Sequence, residues 1–123
     1  MKALIDTNIF LLTAQTKLPL FQETQRVIGN VEHITTESVV NELRQLCDDG
    51  NDAACTATQL IQSKALKIVS SSSDYADADI ARYAASHDDI IVITHDRDLI
   101  TTLNDHDVTV YRPRQQSHLI RAT

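Results

Sequence analysis

Short apolar runs and amphipathic segments alternate along the chain. Residues 90–94 form a continuous run, IIVIT, whose β-branched composition is typical of a strand covered on both faces. Between 37 and 47, apolar residues recur at helical spacing, which predicts an amphipathic helix. Similar patterns predict strands at 2–5, 33–35, 65–69 and 108–111, helices at 21–28, 53–64, 77–86 and 99–103, and a helix opening at 9–12. The alternation predicts an α/β fold of three α/β/α layers, with a mostly parallel sheet of four or five strands.

The length of 123 residues and an apolar share of 42% favour one globular domain spanning residues 1–123. No apolar run approaches the roughly 20 residues of a membrane-spanning helix, and Asp6 interrupts the stretch where a signal peptide needs its apolar segment. Cys47 and Cys55 match neither a metal-binding spacing nor a CxxC motif, so we predict two buried or bystander thiols. Together these features predict a cytoplasmic protein.

The charge balance argues against one class of function. With 17 acidic and 11 basic residues, the formal net charge is −6, which disfavours a protein that binds nucleic acid through bulk positive charge. We interpret most of the acids as a solvated surface, namely Asp48, Asp49, Asp52, Asp88, Asp89, Asp105 and Asp107. Residues 112–123 differ, because Arg112, Arg114 and Arg121 make them a basic C-terminal tail.

Two acids follow the two clearest strands. Asp6 ends the first strand, and Asp96 lies just after the run at 90–94. Parallel strands of an open α/β sheet present their carboxyl ends, and therefore their ligands, at one edge. We therefore expect Asp6 and Asp96 to lie near each other. Either residue could equally be the N-cap of the helix that follows it.

Helical spacing assigns directions to the remaining candidates. Glu42 borders the apolar face of the helix at 37–47, where a glutamate can point along the buried seam or into water. Asp77 precedes Ile80 by three residues, so we predict that it shares the inward face of its helix. Asp79 is predicted to lie outside, and Asp74 to be the N-cap.

A cluster of such acids requires compensating charge. Two carboxylates about 4 Å apart repel by roughly 4 kcal/mol at an effective dielectric constant of about 20. No basic residue is adjacent to Asp6, Glu42 or Asp77 in the sequence, and Arg97 alone would not neutralise four acids. Hard oxygen ligands suit Mg²⁺ or Mn²⁺, and such ions commonly serve phosphodiester hydrolysis.

Four motifs together resemble a known family. In chain order they are LIDTNIF, TTESVVNEL, YADADIARYA and VITHDRDL. They resemble the motifs of PIN-domain ribonucleases, and the resemblance runs essentially from end to end. The C-terminal stretch VTVYRPRQQSHL is more similar to archaeal PIN nucleases of ribosomal-RNA processing than to VapC toxins, which are the second choice.

The resemblance implies roles for individual residues. Asp6, Glu42, Asp77 and Asp96 would be the catalytic acids and would bind one or two Mg²⁺ or Mn²⁺ ions, with Asp98 as an accessory metal ligand. Thr7, Asn8 and Thr94 match the polar positions that steady the site. His95 departs from the family pattern, and either substrate contact or plain exposure would explain it.

The activity implied by the resemblance is metal-dependent endonucleolytic hydrolysis of single-stranded RNA without a side-chain nucleophile. Arg97, Arg112 and Arg114 would contact the RNA, or the three would be ordinary solvated residues. A homodimer, an antitoxin and a ribosome-assembly factor all stay open as partners, whereas no membrane is implied. Two alternatives remain: a non-catalytic PIN scaffold that binds RNA or protein, and a receiver-like phosphoacceptor domain. The second is disfavoured because arginine, not lysine, follows the last predicted strand.

Overall fold

A computed structural model describes residues 1–16 and 18–123 of the chain. Every predicted element is present, and all but β1 differ from the prediction at one or both ends. The elements are β1 (Lys2–Ile5), α1 (Thr7–Thr16), α2 (Leu20–Val27), β2 (Glu32–Thr36), α3 (Glu37–Asp48), α4 (Asp52–Ser63), β3 (Lys67–Val69), α5 (Ala76–Ala85), β4 (Ile90–Ile93), α6 (Arg97–Asp105), β5 (Thr109–Arg114) and β6 (His118–Ala122). Among the described residues, no helix combines the length and the apolar character needed to span a bilayer.

The strands form one six-stranded sheet in the order β3-β2-β1-β4-β5-β6. The first five strands in this order are parallel, and β6 is antiparallel to β5. The predicted α/β class and mostly parallel sheet are confirmed, but the sheet has six strands instead of four or five. The additional strand is β6, within the predicted tail at 112–123, so most of that segment belongs to a β-hairpin.

The core is built around the two central strands. All four residues of β4 are buried, and Ile5 and Ile93 pair at the ends of β1 and β4 with no exposed surface. Strands buried in this way consist of continuous apolar residues without polar alternation, as the runs in β1 and β4 do. The chain leaves β1 toward β2 and β3 and later returns to β4 on the other side. Open α/β sheets bind ligands at such a reversal, beyond the carboxyl ends of the strands.

The helix α3 begins without a connecting loop at this carboxyl edge. Thr36 ends β2 and is also the N-cap of α3, because its Oγ1 accepts a hydrogen bond from the backbone N–H of Val39 at 3.2 Å. The first turn of α3 therefore lies immediately beyond the sheet.

A disulfide fixes the other end of α3. Cys47 and Cys55 are bonded to each other, with their Cα atoms 4.7 Å apart, so the prediction of two thiols was wrong. The bridge joins the last turn of α3 to the first turn of α4 across the loop at 49–51. Sequence spacing did not reveal it, because the bond depends on how these two helices approach each other.

Glu23 anchors the C-terminal hairpin to α2. Its carboxylate accepts two hydrogen bonds from the Arg26 guanidinium, each 2.8 Å long, and one of 2.9 Å from the backbone N–H of Leu119 in β6. Chiefly through the hydrogen bonds from Arg26, the pKa of Glu23 falls from its ordinary value of 4.5 to about 2. The charged form of Glu23 therefore holds a segment that lies 96 residues away in sequence.

We predict that Glu23→Gln lowers the free energy of unfolding by about 2 kcal/mol at pH 7, since bonds to a charged group are lost. Because the folded-state pKa is depressed, this stabilisation is fully present above pH 4.5 and is lost as the pH falls toward 2. Urea unfolding measures this loss. The difference in the free energy of unfolding between wild type and Glu23→Gln should be smaller at pH 3 than at pH 7. The control is Glu32→Gln, at an exposed position in β2. An equal difference at both pH values would contradict this account of Glu23.

Candidate active site

An open cleft of about 1010 Å³ lies at the carboxyl edge of the sheet. Its walls are the start of α1, one face of α3, the segment after β3 and the start of α5. Six carboxylates line it: Asp6, Glu37, Glu42, Asp74, Asp77 and Asp96. Among the described residues, no lysine, arginine or histidine contributes to this lining. The cleft is therefore strongly negative, although the rest of the surface also carries basic residues.

Asp6 lies at the bottom of the cleft and is held by residues that follow the two central strands. Its Oδ2 accepts hydrogen bonds from Thr94 Oγ1 at 2.7 Å and from Asn8 Nδ2 at 3.3 Å, and its Oδ1 accepts one from the backbone N–H of Thr7 at 2.8 Å. A carboxylate offers roughly four acceptor positions, so about one remains on Oδ1. The expectation that Thr7, Asn8 and Thr94 steady this position agrees with these contacts.

The surroundings of Asp6 disfavour its charged form. The residue is only 5% exposed, and burial raises its pKa above the ordinary value of 3.8. The nearby carboxylates of Glu42 and Asp96 raise the pKa further, against the lowering effect of the hydrogen bonds from Thr94 and Thr7. This opposition means that the site would gain from a positive charge near Asp6.

Glu42 faces the cleft from α3. The residue is exposed, and its Oε2 accepts a hydrogen bond of 2.9 Å from Thr7 Oγ1. Thr7 therefore links the two acids, because its backbone N–H bonds Asp6 and its hydroxyl bonds Glu42. Ser38, Asn41, Glu42 and Gln45 recur at helical spacing and all line the cleft, so one face of α3 forms a polar wall.

Asp96 contributes to the cleft and also caps a helix. Its Oδ1 accepts hydrogen bonds from the backbone N–H groups of Asp98 and Leu99, and thus it is the N-cap of α6. The N-cap considered for Asp96 from sequence is therefore present, and its role as a metal ligand stays a prediction. Asp98 is exposed in the first turn of α6 and is not among the residues that line the cleft, so its role as an accessory ligand stays a prediction.

Asp77 and Asp79 lie the opposite way round from the prediction. Asp77 is exposed and lines the cleft at the start of α5, whereas Asp79 is only 3% exposed. The predicted inward position of Asp77 was wrong, because the first turn of α5 faces the cleft instead of the core. Asp79 is covered by α3 and by the segment after β3, which no pattern within α5 predicts. Asp74 also lines the cleft. The N-cap of α5 is Tyr75, and the prediction that Asp74 occupies this position was wrong.

Asp79 is the centre of a buried network that shapes the cleft wall. Its Oδ2 accepts hydrogen bonds from Ser38 Oγ at 2.8 Å and from Ser71 Oγ, and its Oδ1 accepts one from the Ser72 backbone N–H at 3.2 Å. Ser71 Oγ in turn accepts a bond from the Ser38 N–H, and the Ser71 N–H donates to Glu37. The network thus fixes the serine segment, residues 70–73, against the start of α3. The run of four serines was the only signal in the sequence for this arrangement.

Comparison with known proteins agrees with the motifs that suggested a family. A family model described as a PIN like domain matches residues 3–116. The chain belongs to this PIN-like family. Ribonuclease VapC4 of Methanocaldococcus jannaschii is 25% identical over 122 residues, which cover 95% of this chain and 93% of that protein.

Two solved structures share the PIN-like fold. The PIN domain endonuclease Utp24 superposes with a TM-score of 0.84 at 19% identity, covering 99% of this chain and 92% of that one. A PilT N-terminus domain protein of Sulfolobus solfataricus P2 gives a TM-score of 0.52 at 14% identity, over 91% and 87% of the two chains. At these identities the likeness concerns the fold.

The donor set of this PIN-like cleft fits a hard divalent cation. Among the described residues, no three histidine, cysteine or acidic side chains come together as a complete metal centre. However, Mg²⁺ is usually bound through one or two carboxylates, several waters and substrate phosphates. An acceptor position on Asp6, the six carboxylates of the lining and the raised pKa of Asp6 suit an ion held in this way.

The predicted RNA-binding arginines lie outside the cleft lining. Arg97 is exposed at the start of α6, and Arg112 and Arg114 are exposed in β5. In the β5–β6 ladder Arg114 pairs with His118, so Arg112, Arg114 and His118 share one face of the hairpin. Arg121 pairs with Tyr111 and lies on the other face.

We predict that two substitutions on α5 lower the free energy of unfolding by very different amounts. Asp79→Ala removes the acceptor of three hydrogen bonds, one buried and two partly buried, and should lower the free energy of unfolding by about 3 kcal/mol. Asp77→Ala, the matched exposed control, should change it by less than about 0.5 kcal/mol. Urea denaturation of both variants measures the difference, and equal stabilities would contradict the assigned positions.

Asp6→Asn should stabilise the metal-free protein at pH 7 by about 1 kcal/mol, as relief of strained functional residues commonly does. Because the folded-state pKa of Asp6 is raised, its contribution to stability is fully present below pH 3.8 and is lost as the pH rises through the folded-state value. In EDTA, the Tm of Asp6→Asn should therefore increase relative to the Tm of wild type as the pH rises from 3 to 8. If Asp6→Asn were less stable than wild type at pH 7, the hydrogen bonds of Asp6 would stabilise the fold by more than its buried charge destabilises it.

Proposed function

We propose that this protein is a metal-dependent endoribonuclease that hydrolyses phosphodiester bonds of single-stranded RNA. The observation that carries the proposal is the acidic cleft at the carboxyl edge of a PIN-like sheet, where Asp6, Glu42, Asp77 and Asp96 line one space. The names of two similar proteins support it. VapC4 is called a ribonuclease, and Utp24 is called a PIN domain endonuclease.

The four acids would contribute differently to ion binding, because their burial and hydrogen bonds differ. Asp6 is buried and held by three hydrogen bonds, so it supplies a fixed oxygen at the bottom of the cleft. Glu42 is oriented through Thr7, whereas the exposed Asp77 has freedom to adjust when substrate arrives. Asp96 offers its remaining oxygen, since Oδ1 is used in capping α6. Preorganised oxygens of this kind lose little entropy on binding an ion.

These residues would hold one or two Mg²⁺ or Mn²⁺ ions. When bound, such an ion neutralises the phosphate and makes a water molecule more acidic. Without an ion, the six carboxylates would repel the phosphodiester that has to approach them. The acidity of the cleft is therefore consistent with an RNA substrate only together with cations.

The hairpin offers positive charge for the RNA backbone. Tyr111 of β5 pairs with Ile93, the last residue of β4, so Arg112 and Arg114 extend beyond the carboxyl edge where the cleft lies. Lysine and arginine contacts to phosphates supply affinity that does not depend on sequence. We propose that Arg112 and Arg114 contact the RNA backbone, with Arg97 as a further contact.

We propose a role in ribosomal-RNA processing in the cytoplasm, with a ribosome-assembly factor as partner. The support is the C-terminal stretch VTVYRPRQQSHL, which is more similar to archaeal PIN nucleases of ribosomal-RNA processing than to VapC toxins. The alternative is a VapC-type toxin neutralised by an antitoxin, supported by the similarity to VapC4. An antitoxin encoded beside the gene would favour the toxin. A non-catalytic scaffold and a homodimer remain further candidates, and the activity assay below addresses the former.

Purified protein incubated with a panel of single-stranded RNAs and Mn²⁺ should cleave internally. Asp6→Asn, Glu42→Gln, Asp77→Asn and Asp96→Asn should each lose roughly a hundredfold or more in rate, because an ion-binding oxygen is removed. The matched control is Asp105→Asn, at an exposed position in the last turn of α6. Asp98→Asn tests the accessory role, and a rate within about twofold of wild type would remove Asp98 from the site.

The metal requirement has a readout that does not depend on cleavage. Mn²⁺ at about 100 times its Kd should stabilise the wild-type protein by roughly 2.7 kcal/mol, and Asp6→Asn by much less. Equal cleavage rates for wild type and Asp6→Asn would contradict the catalytic role assigned to Asp6. Absence of both cleavage and metal stabilisation in wild type would favour the scaffold.

A further inference from the structure

One aromatic side chain in the cleft stacks on no other ring among the described residues. Tyr75 is 74% exposed and lines the cleft beside Asp74 and Asp77. Among the described residues, no other tyrosine or phenylalanine contributes to this lining. The others have neighbours: Phe10 is fully buried, Phe21 packs against His33, Tyr83 stacks on His87, and Tyr111 packs on the core.

The backbone of Tyr75 is held firmly although its ring is exposed. Its N–H donates to Ser73 Oγ at 3.1 Å, and its carbonyl accepts a bond of 3.0 Å from the Asp79 N–H. Asp79 also binds the serine segment through its carboxylate, so the Asp79 network fixes the backbone on both sides of Tyr75. A single exposed apolar residue is ordinary on a protein surface, but an exposed ring on a fixed backbone inside an acidic cleft is not.

We propose that Tyr75 is a stacking platform for one nucleobase of a single-stranded RNA. The inference rests on the proposed function and adds a recognition group to it. Acidic side chains cannot attract the RNA backbone, so affinity near the carboxylates must come from the bases as well as from cations. Base stacking on an aromatic ring supplies such affinity, and it requires an unpaired base and an exposed ring face.

The dimensions and the order of the loops agree with this placement. The cleft, at about 1010 Å³, is at the upper end of typical ligand pockets and can hold more than one nucleotide. The loops after β3, β2, β1, β4 and β5 follow one another along the carboxyl edge. Tyr75 follows β3 and Arg112 lies in β5, so base stacking and backbone charge would act on opposite sides of the carboxylates.

Single-turnover cleavage by Tyr75 variants tests the proposal. Tyr75→Ala should raise the RNA concentration for half-maximal rate about tenfold, the usual effect of losing one stacked base, with little change in the maximal rate. Tyr75→Phe should stay within about twofold of wild type, because the ring is kept. Ile68→Ala removes another exposed apolar side chain, outside the cleft lining, and should have no effect.

A second measurement identifies the base. A set of RNAs is used, each with one abasic position. One of them should bind wild type about tenfold more weakly than intact RNA does, whereas Tyr75→Ala should bind that RNA and intact RNA equally well. The chain has three tyrosines and no tryptophan, so stacking should also quench its tyrosine emission. The quench should disappear in Tyr75→Phe and persist in Tyr83→Phe and Tyr111→Phe.

The outcomes of these experiments distinguish base stacking on Tyr75 from the proposed endoribonuclease activity. Normal cleavage by Tyr75→Ala with an unchanged half-maximal concentration would overturn the stacking platform and leave the nuclease intact. RNA that quenches Tyr75 in wild-type protein without being cleaved would support stacking and count against the endonuclease. Equal quenching in wild type and Tyr75→Phe would place the bound RNA elsewhere and overturn the inference.

Discussion

The parallel pairing of β1 with β4 is the constraint on which the site depends. These strands lie 88 residues apart in the chain, yet Ile5 pairs with Ile93, and the next residues reach the same edge together. Thr94 can then donate a hydrogen bond of 2.7 Å to Asp6, and Asp96 follows two residues later. A shift of one residue in this register would turn every side chain of one strand to its opposite face. Since Ala3–Ile5 of β1 and all of β4 are apolar and buried, their packing maintains the register, and the register positions the acids.

The cleft combines stabilising and destabilising features within a few residues. Asp6 is buried near Glu42 and Asp96, an arrangement that raises its pKa and works against folding. Asp79 is equally buried, but hydroxyl and backbone N–H groups surround its carboxylate. Both are satisfied by hydrogen bonds, so the difference lies in the neighbouring charges. A protein retains a repulsive group such as Asp6 when function requires it, and stabilises the surroundings by other contacts.

The sequence predicted features that depend on local pattern or on strand ends, and missed those that depend on distant contacts. Continuous apolar runs predicted β1 and β4, and the rule that ligands gather at carboxyl ends predicted that Asp6 and Asp96 meet. By contrast, β6 alternates weakly and is held by Glu23 from α2, far away in sequence. The Cys47–Cys55 bond depends on the approach of two helices, and the burial of Asp79 depends on Ser38 in α3. Each of these errors concerns a contact between elements, which periodicity within one element does not contain.

The distribution of charge limits how any polyanion can use this cleft. The six carboxylates occupy its lining, while Arg112 and Arg114 lie on the hairpin beyond them. The charged side chains that a phosphodiester meets near Asp6 are therefore all negative among the described residues, and Coulomb repulsion at short range exceeds what arginines farther away can offset. Productive binding then requires cations at the carboxylates, and any affinity in their absence has to come from groups that do not contact phosphate. Because Tyr75 and the amide of Asn41 line the same space, recognition of bases is the chemistry that this lining leaves available.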